Sequence, residues 1–277
     1  AGAVAQMLEE HGSADEGPDA LLRPLAEGSR VAVVLLRGSL CPVTLGHVRG
    51  LVEARRILLG EPGAVRPARL ERFAEVVGLI ALNGDGHVAG KLSDNGEPSL
   101  RWEERRRLVD LATEEYAWIW SCEDRSQESP WHLPGRWPTL RFAHFYLNGA
   151  DDVAKYEKYD CSADYRYITM GRPGFTEQVL EGARRAGVDL EEGFFVLGPE
   201  LPDISATKAR RALREGDRET LGALLHPRVT EWCLQNGPYR PGALAEQPAP
   251  AERWWGEAWG QQRRSLEGAP EEGGRKA

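Results

Sequence analysis

With 277 residues the chain has room for one α/β core of roughly 200 residues or a little more, with loose ends. Its net charge is −8 and its Lys and Arg residues are interspersed with Asp and Glu, so no basic face for long nucleic acid can be read from it. The four cysteines, Cys41, Cys122, Cys161 and Cys233, are far apart, which argues against a zinc knuckle or a disulfide scaffold and fits a reducing compartment, cytoplasmic or nuclear. No apolar run approaches the roughly 20 residues that span a bilayer, and no signal peptide is recognisable, so the expectation is a soluble chain with no membrane partner.

In chain order, residues 1–28 mix Gly, Ala, Glu and Asp with little periodicity and read as a weakly ordered lead-in. The run VAVVLL at 31–36 is the continuous apolar pattern of a strand buried on both faces. A loop spans 38–47, and 47–59 reads as an amphipathic helix through Val48, Leu51, Val52 and Ile57. A second strand is predicted at 74–82 and a polar, glycine-containing loop at 83–98. A charged helix follows at 101–115, then a short strand at 116–121 and a loop or insertion at 123–138 holding Trp131 and Trp137. Strands at 141–147, 165–170 and 194–197 enclose a helix at 176–186, and helices at 207–213, 218–225 and 227–235 lead to Tyr239. Beyond Pro241 the composition is Pro, Gly, Ala and Glu, the signature of a disordered tail. A single domain over 29–240 is expected, with the tail's Trp254, Trp255 and Trp259 docking on a partner, docking back on the domain, or unstructured. Strands alternating with helices predict a parallel sheet with helices on both faces and a ligand site at the carboxyl ends of its strands.

Two segments carry chemistry. In the loop after the first strand, Gly38 lets backbone approach a phosphate, Ser39 and Thr44 offer hydroxyls, and the helix that follows presents free N–H groups and a positive dipole end to an anion. His47 stands at that helix entrance, where it either donates to phosphoryl oxygens or simply caps the helix. The second segment is residues 203–211, where Ser205 or Thr207 can cap a helix and Lys208, Arg210 and Arg211 bring positive charge to its first turns. It reads either as a second anion site or as an ordinary capped helix with a solvated basic face.

Taken together, GSxxPxTxGH at 38–47 and ISxTxxR at 204–210 resemble the two signatures of the nucleotidyltransferase superfamily whose members share a dinucleotide-binding-like (Rossmann-like) sheet. Asn148 to Asp151 resembles the GAD segment of nicotinamide or nicotinate mononucleotide adenylyltransferases, Arg172 to Gly174 their RxG turn, and 105–113 with Trp118 their Arg-bearing helix and following tryptophan. The similarity spans about residues 31–240. It implies transfer of the adenylyl group of ATP to a pyridine mononucleotide, with release of pyrophosphate and with Mg²⁺ held mainly by substrate phosphates rather than by protein ligands. By the same resemblance His47 and Arg210 are the catalytic residues. Gly38, Ser39, Thr44, Gly149, Asp151, Ser205 and Thr207 join them in binding ATP, and Trp118, Tyr159 and Arg172 bind the acceptor.

The sequence departs from that pattern at Leu40-Cys41, where Phe-Asn is usual, and after the second strand, where only Gly84-Asp85 and Lys91 remain of a lysine-rich turn. Where an aromatic residue that stacks on the pyridine ring is expected, the chain has Tyr156 and Tyr159, which are equally compatible with ordinary packing. Alternatives are an adenylyl- or cytidylyltransferase for another phosphorylated small molecule, such as a pantetheine or flavin phosphate, and a non-catalytic nucleotide-binding relative. A homo-oligomer is possible.

Overall fold

In the computed structural model, residues 18–122 and 129–242 are described, with the backbone alone for 129–131. The chain divides into one unit ending at Pro241 and another from Gly242. The expectations for residues 1–17 and for the tail beyond 242 lie outside the described residues.

Nine-residue β1, Arg30–Gly38, lies at the centre because its interior is buried without interruption. Helix α1, Pro18–Leu22, precedes it. Chain order continues with α2 (Leu45–Leu59), β2 (Glu75–Leu82), α3 (Asp85–Ser93), α4 (Trp102–Thr113), β3 (Ile119–Ser121) and α5 (Ser129–Arg136). Then come β4 (Arg141–Gly149), α6 (Ala150–Tyr156), β5 (Arg166–Gly171), α7 (Thr176–Arg185) and β6 (Phe195–Glu200), closed by α8 (Ala206–Glu215), α9 (Arg218–Leu224) and α10 (Pro227–Asn236). The six strands form one sheet in the order β3-β2-β1-β4-β5-β6, and every neighbouring pair is parallel. The order reverses between β1 and β4, which creates a crevice at the carboxyl ends of those two strands.

Side chains alternate across the sheet. Ala32, Val34 and Leu36 of β1 pack with Val48, Leu51 and Ile57 of α2 and with α4 and α8 on one face. Val31, Val33 and Leu35 face the other way, toward Leu22, Leu133 and Leu140. The predicted α/β architecture with helices on both faces is therefore what forms.

Several local expectations are corrected. Residues 85–93, read as part of the 83–98 loop because Gly86 and Gly90 dilute the pattern, form α3, with Val88 and Leu92 buried. The 123–138 loop contains α5, which carries Pro134 inside it; residues 123–128 are outside the described set. The lead-in contributes to the core through Leu22, which is fully buried. The short third strand is three residues long, because Tyr116 to Trp118 is a turn. Among the described residues no helix is long and apolar enough to cross a membrane.

Candidate active site

A cleft of about 710 Å³ opens at the carboxyl ends of β1 and β4, where the strand order reverses. Gly38, Ser39, Leu40 and Thr44 of the first loop line it, as do Gly46, His47 and Gly50 of α2, Gly149 and Asp151 after β4, and Arg172 after β5.

Thr44 is the N-cap of α2 in extended conformation. Its amide N–H donates to Nδ1 of His47 at 2.9 Å, and its hydroxyl oxygen lies 2.9 Å from the same nitrogen. An amide can only donate, so Nδ1 is the unprotonated nitrogen and the ring's proton resides on Nε2. No protein group among the described residues bonds Nε2, which leaves it as a donor. Burial, and secondarily the positive charge of Arg172, lower the His47 pKa to about 4, so the ring is neutral at physiological pH. Nδ1 thus caps the helix, as one of the two expectations for His47 had it, and this capping fixes the orientation of Nε2.

The loop itself is held from behind. Arg105 of α4 is completely buried, and its guanidinium donates to the carbonyls of Ser39 at 2.9 Å, Asn83 at 2.8 Å and Leu100 at 3.2 Å. The carboxylate of Asp85 at 2.9 Å neutralises it. A buried cation is tolerable only when its donors and its charge are both satisfied, and these four contacts do so. Leu40 beside it adopts φ 42° and is almost fully buried.

Gly46 brings the two signature segments together, since a Cβ there would stand 3.3 Å from Cβ of Ile204. Ser205 caps α8 by accepting from the Lys208 amide at 3.2 Å. The rest of this segment departs from expectation. Ile204 lines the cleft, but Ser205, Thr207 and Arg210 do not. Arg210 is buried, donates through Nε to Glu97 at 2.8 Å and through Nη1 to the Cys41 carbonyl at 3.0 Å, and has Thr207 Oγ1 3.3 Å from Nη2. Arg214 holds the other oxygen of Glu97. In spite of burial, which opposes ionisation, these two arginines keep the Glu97 carboxyl below its ordinary pKa.

Elsewhere in the cleft, Arg172 is fixed between Asp151 at 2.7 Å and Asp203 at 2.9 Å. A Cβ at Gly149 would meet Asp151 Oδ1 at 2.7 Å, so a side chain there would displace that carboxylate. Neither Trp118 nor Tyr159 lines the cleft. Trp118 lies against Gly78 of β2, with Arg55 stacked 5.2 Å from its ring centre. Tyr159 leans on Gly182 of α7 and packs near Phe195. Both pack against neighbouring elements in this structure, away from the cleft lining to which the resemblance had assigned them.

What the sequence reading missed is an aromatic wall. Tyr146, Tyr165 and Tyr167 line the cleft, with ring centres 4.7 Å apart for Tyr146 and Tyr165 and 5.2 Å for Tyr165 and Tyr167. The spacing Tyr165-x-Tyr167 at the start of β5, where alternate residues share a face, was the available signal. Tyr156, by contrast, does line the cleft and is 60% exposed. His87 and Lys91 of α3 complete the lining.

No protein-family model matches the sequence, and no curated protein does. Among solved structures, the chain is similar to the nicotinic acid mononucleotide adenylyltransferase of Plasmodium falciparum complexed with APC, at 14% identity and a TM-score of 0.46, covering 75% of this chain and 96% of that one.

Proposed function

We propose that the chain transfers the adenylyl group of ATP to a pyridine mononucleotide, forming a dinucleotide and pyrophosphate. The observation that carries the reading is the neutral His47, turned by Thr44 so that Nε2–H is its free donor in a cleft at the switch point of a parallel sheet.

In the proposed reaction a phosphate oxygen of the mononucleotide attacks the α-phosphorus of ATP in line. The new P–O bond forms as the bond from the α-phosphorus to the bridging oxygen breaks, and pyrophosphate leaves with that oxygen. No proton has to be moved by the protein and no covalent intermediate is formed, so catalysis rests on positioning and on charge stabilisation. His47 Nε2–H donates to the α-phosphoryl oxygens. Gly38, Ser39 and the free amides at the start of α2 line the path of the polyphosphate. In this reading Asp151, which Arg172 holds, accepts from a ribose hydroxyl.

Electrostatics fit an anionic ligand. The cleft's carboxylates, Asp151 and Asp152, are each paired, with Arg172 and Lys158, whereas Arg37 and Lys91 add charge without a carboxylate partner among the described residues. No group of three or more His, Cys, Asp or Glu side chains gathers as a metal site among the described residues. Mg²⁺ is proposed to enter on the ATP phosphates, where it neutralises charge, and no step is routed through protein ligands.

The test is synthesis of dinucleotide from ATP with nicotinate or nicotinamide mononucleotide, read by coupled reduction or by pyrophosphate release. His47→Ala is expected to lower kcat by about 10²- to 10³-fold, the usual cost of one preorganised donor, while ATP affinity changes by about tenfold or less because the loop amides remain. A folded His47→Ala protein with near-normal turnover would remove the basis of the proposal. Turnover only with another phosphorylated acceptor, such as a pantetheine or flavin phosphate, would keep the chemistry and replace the substrate.

A further inference from the structure

The aromatic wall of the cleft has a cation beside it. Leu35 of β1 is in register with Tyr146 of β4, and both pack on the face of the sheet opposite α2. Arg37 is two residues after Leu35, so its side chain leaves the strand on that same face. It lines the cleft and is exposed. It has no hydrogen-bond or ion-pair partner among the described residues. Its charge reaches the phenol of Tyr146, whose pKa burial raises and Arg37 partly lowers again.

Position separates Arg37 from the reacting phosphates. In-line transfer holds the α-phosphate and the attacking phosphate at His47 and the start of α2. Helix α2 covers the face carrying Ala32, Val34 and Leu36, whereas Arg37 and Tyr146 belong to the other face. A bound acceptor with its phosphate at His47 therefore reaches the Arg37 side with its far end, the ring. The tilted pair Tyr146 and Tyr165 offers that ring a π surface. A guanidinium at the edge of such a surface is the natural partner of a carboxylate borne by the ring, which it can take in a bidentate contact; an amide offers it only one neutral oxygen.

On the proposed function, we infer that Arg37 selects the acid over the amide: the acceptor is a mononucleotide whose aromatic ring carries a carboxylate, seated on Tyr146 and Tyr165. Arg37 is thus a specificity residue of the acceptor half of the cleft, a position to which the resemblance assigns no role.

The experiment compares kcat/KM for nicotinate and nicotinamide mononucleotides in the wild-type protein and in Arg37→Gln, at saturating ATP, together with binding of each mononucleotide alone by calorimetry. The wild type should favour the nicotinate form by about 10- to 100-fold, the worth of a hydrogen bond to a charged group. Arg37→Gln should erase most of that ratio, chiefly through the nicotinate form, with the KM for ATP unchanged within about twofold. An equal loss for both mononucleotides would assign Arg37 to their common phosphate, and a raised KM for ATP would assign it to the nucleotide half; either overturns the inference. If the wild type turns over neither mononucleotide, the catalytic reading falls, and binding then decides: preference for nicotinate mononucleotide, abolished by Arg37→Gln, sustains the inference, and equal or absent binding of the two forms overturns it.

Discussion

Arg210 lies against Glu97, with Nε 2.8 Å from the carboxylate and only 6% of the arginine side chain exposed. The same guanidinium reaches the Cys41 carbonyl, so it ties α8 to the first loop and to the segment before α4 instead of facing the cleft. The resemblance implied a contact with the outer phosphates, but in this structure the guanidinium is engaged by Glu97 and Cys41.

Removing one partner of this buried pair leaves the other charge uncompensated. Arg210→Ala and Glu97→Gln are each expected to destabilise the fold by about 3–5 kcal/mol, measured by denaturant unfolding, with the KM for ATP in the remaining folded enzyme changed by less than about threefold. A stable Arg210→Ala protein with a KM for ATP raised tenfold or more would show that Arg210 leaves Glu97 to hold phosphate.

The protonation of His47 gives a second expectation. With its folded pKa lowered to about 4, against about 6.5 when unfolded, the unfolded chain binds a proton that the native ring refuses. His47 therefore contributes stability that is complete above pH 6.5 and is lost as the pH falls from there toward 4. Turnover should show no inflection near 6.5 from this residue. Nitrogen-detected NMR should report an Nε2–H tautomer titrating near 4, and Arg172→Gln should raise that midpoint by removing a positive neighbour. A free-histidine midpoint in the wild type would contradict the assignment.

Tyr239 sets the boundary of the fold. It is fully buried, and its hydroxyl donates to the Pro98 carbonyl at 2.6 Å. With that proton committed, Cys41 must donate its S–H to the Tyr239 oxygen 3.2 Å away, while accepting from the Leu100 amide at 3.3 Å. Burial raises the Cys41 thiol pKa, which keeps the needed hydrogen in place. A chain ending at Pro241 should melt within a few degrees of the full chain, and one ending at Asn236 should lose its cooperative transition. Tyr239→Phe should cost about 1–3 kcal/mol, because a buried carbonyl loses its donor. Equal melting of the two truncations would show that Tyr239 is dispensable.

The aromatic wall of the cleft, on which the proposed acceptor ring would stack, offers a test that needs no catalysis. Replacing Tyr165 by Ala should weaken binding of a pyridine mononucleotide by about 10-fold or more, since a stacked aromatic contact contributes about 0.5–1.5 kcal/mol beyond the area it buries. Replacing Trp118 or Tyr159 by Leu should leave that binding unchanged and lower thermal stability instead. The reverse pattern, read by calorimetry, would restore the assignment made from resemblance.

Much of the architecture was legible because the strongest signals were local. The unbroken apolar run at 31–36 can be satisfied only by a strand covered on both sides, and a loop bearing Gly38, Thr44 and His47 before a helix places those groups at its entrance. What escaped depended on pairing across the chain. Nothing near Arg210 in sequence indicates Glu97, 113 residues away, and nothing near Arg105 indicates the Ser39 and Asn83 carbonyls that hold it. Trp118 and Tyr159 follow matching motifs at the right distance, yet their side chains turn toward Gly78 and Gly182, small residues whose vacancy admits an aromatic ring. Tyr146 and Tyr167 were hidden by lying in strands, where an aromatic residue is ordinary, and Tyr165 by standing just before one.

The guanidinium of Arg105 joins the Ser39 carbonyl just past β1 to the Asn83 carbonyl just past β2, and the Asn83 amide donates back to Gly38 at 2.9 Å. Two loops that are separate in sequence thus share one fastening. Neither can open without abandoning a cation inside the protein, so in native-state hydrogen exchange the amides around 38–44 and 83–88 should open as one cooperative unit, at a free energy closer to global unfolding than is usual for loops. The rim of the cleft is in this sense already closed before any ligand arrives, and little ordering entropy remains to be lost when one binds.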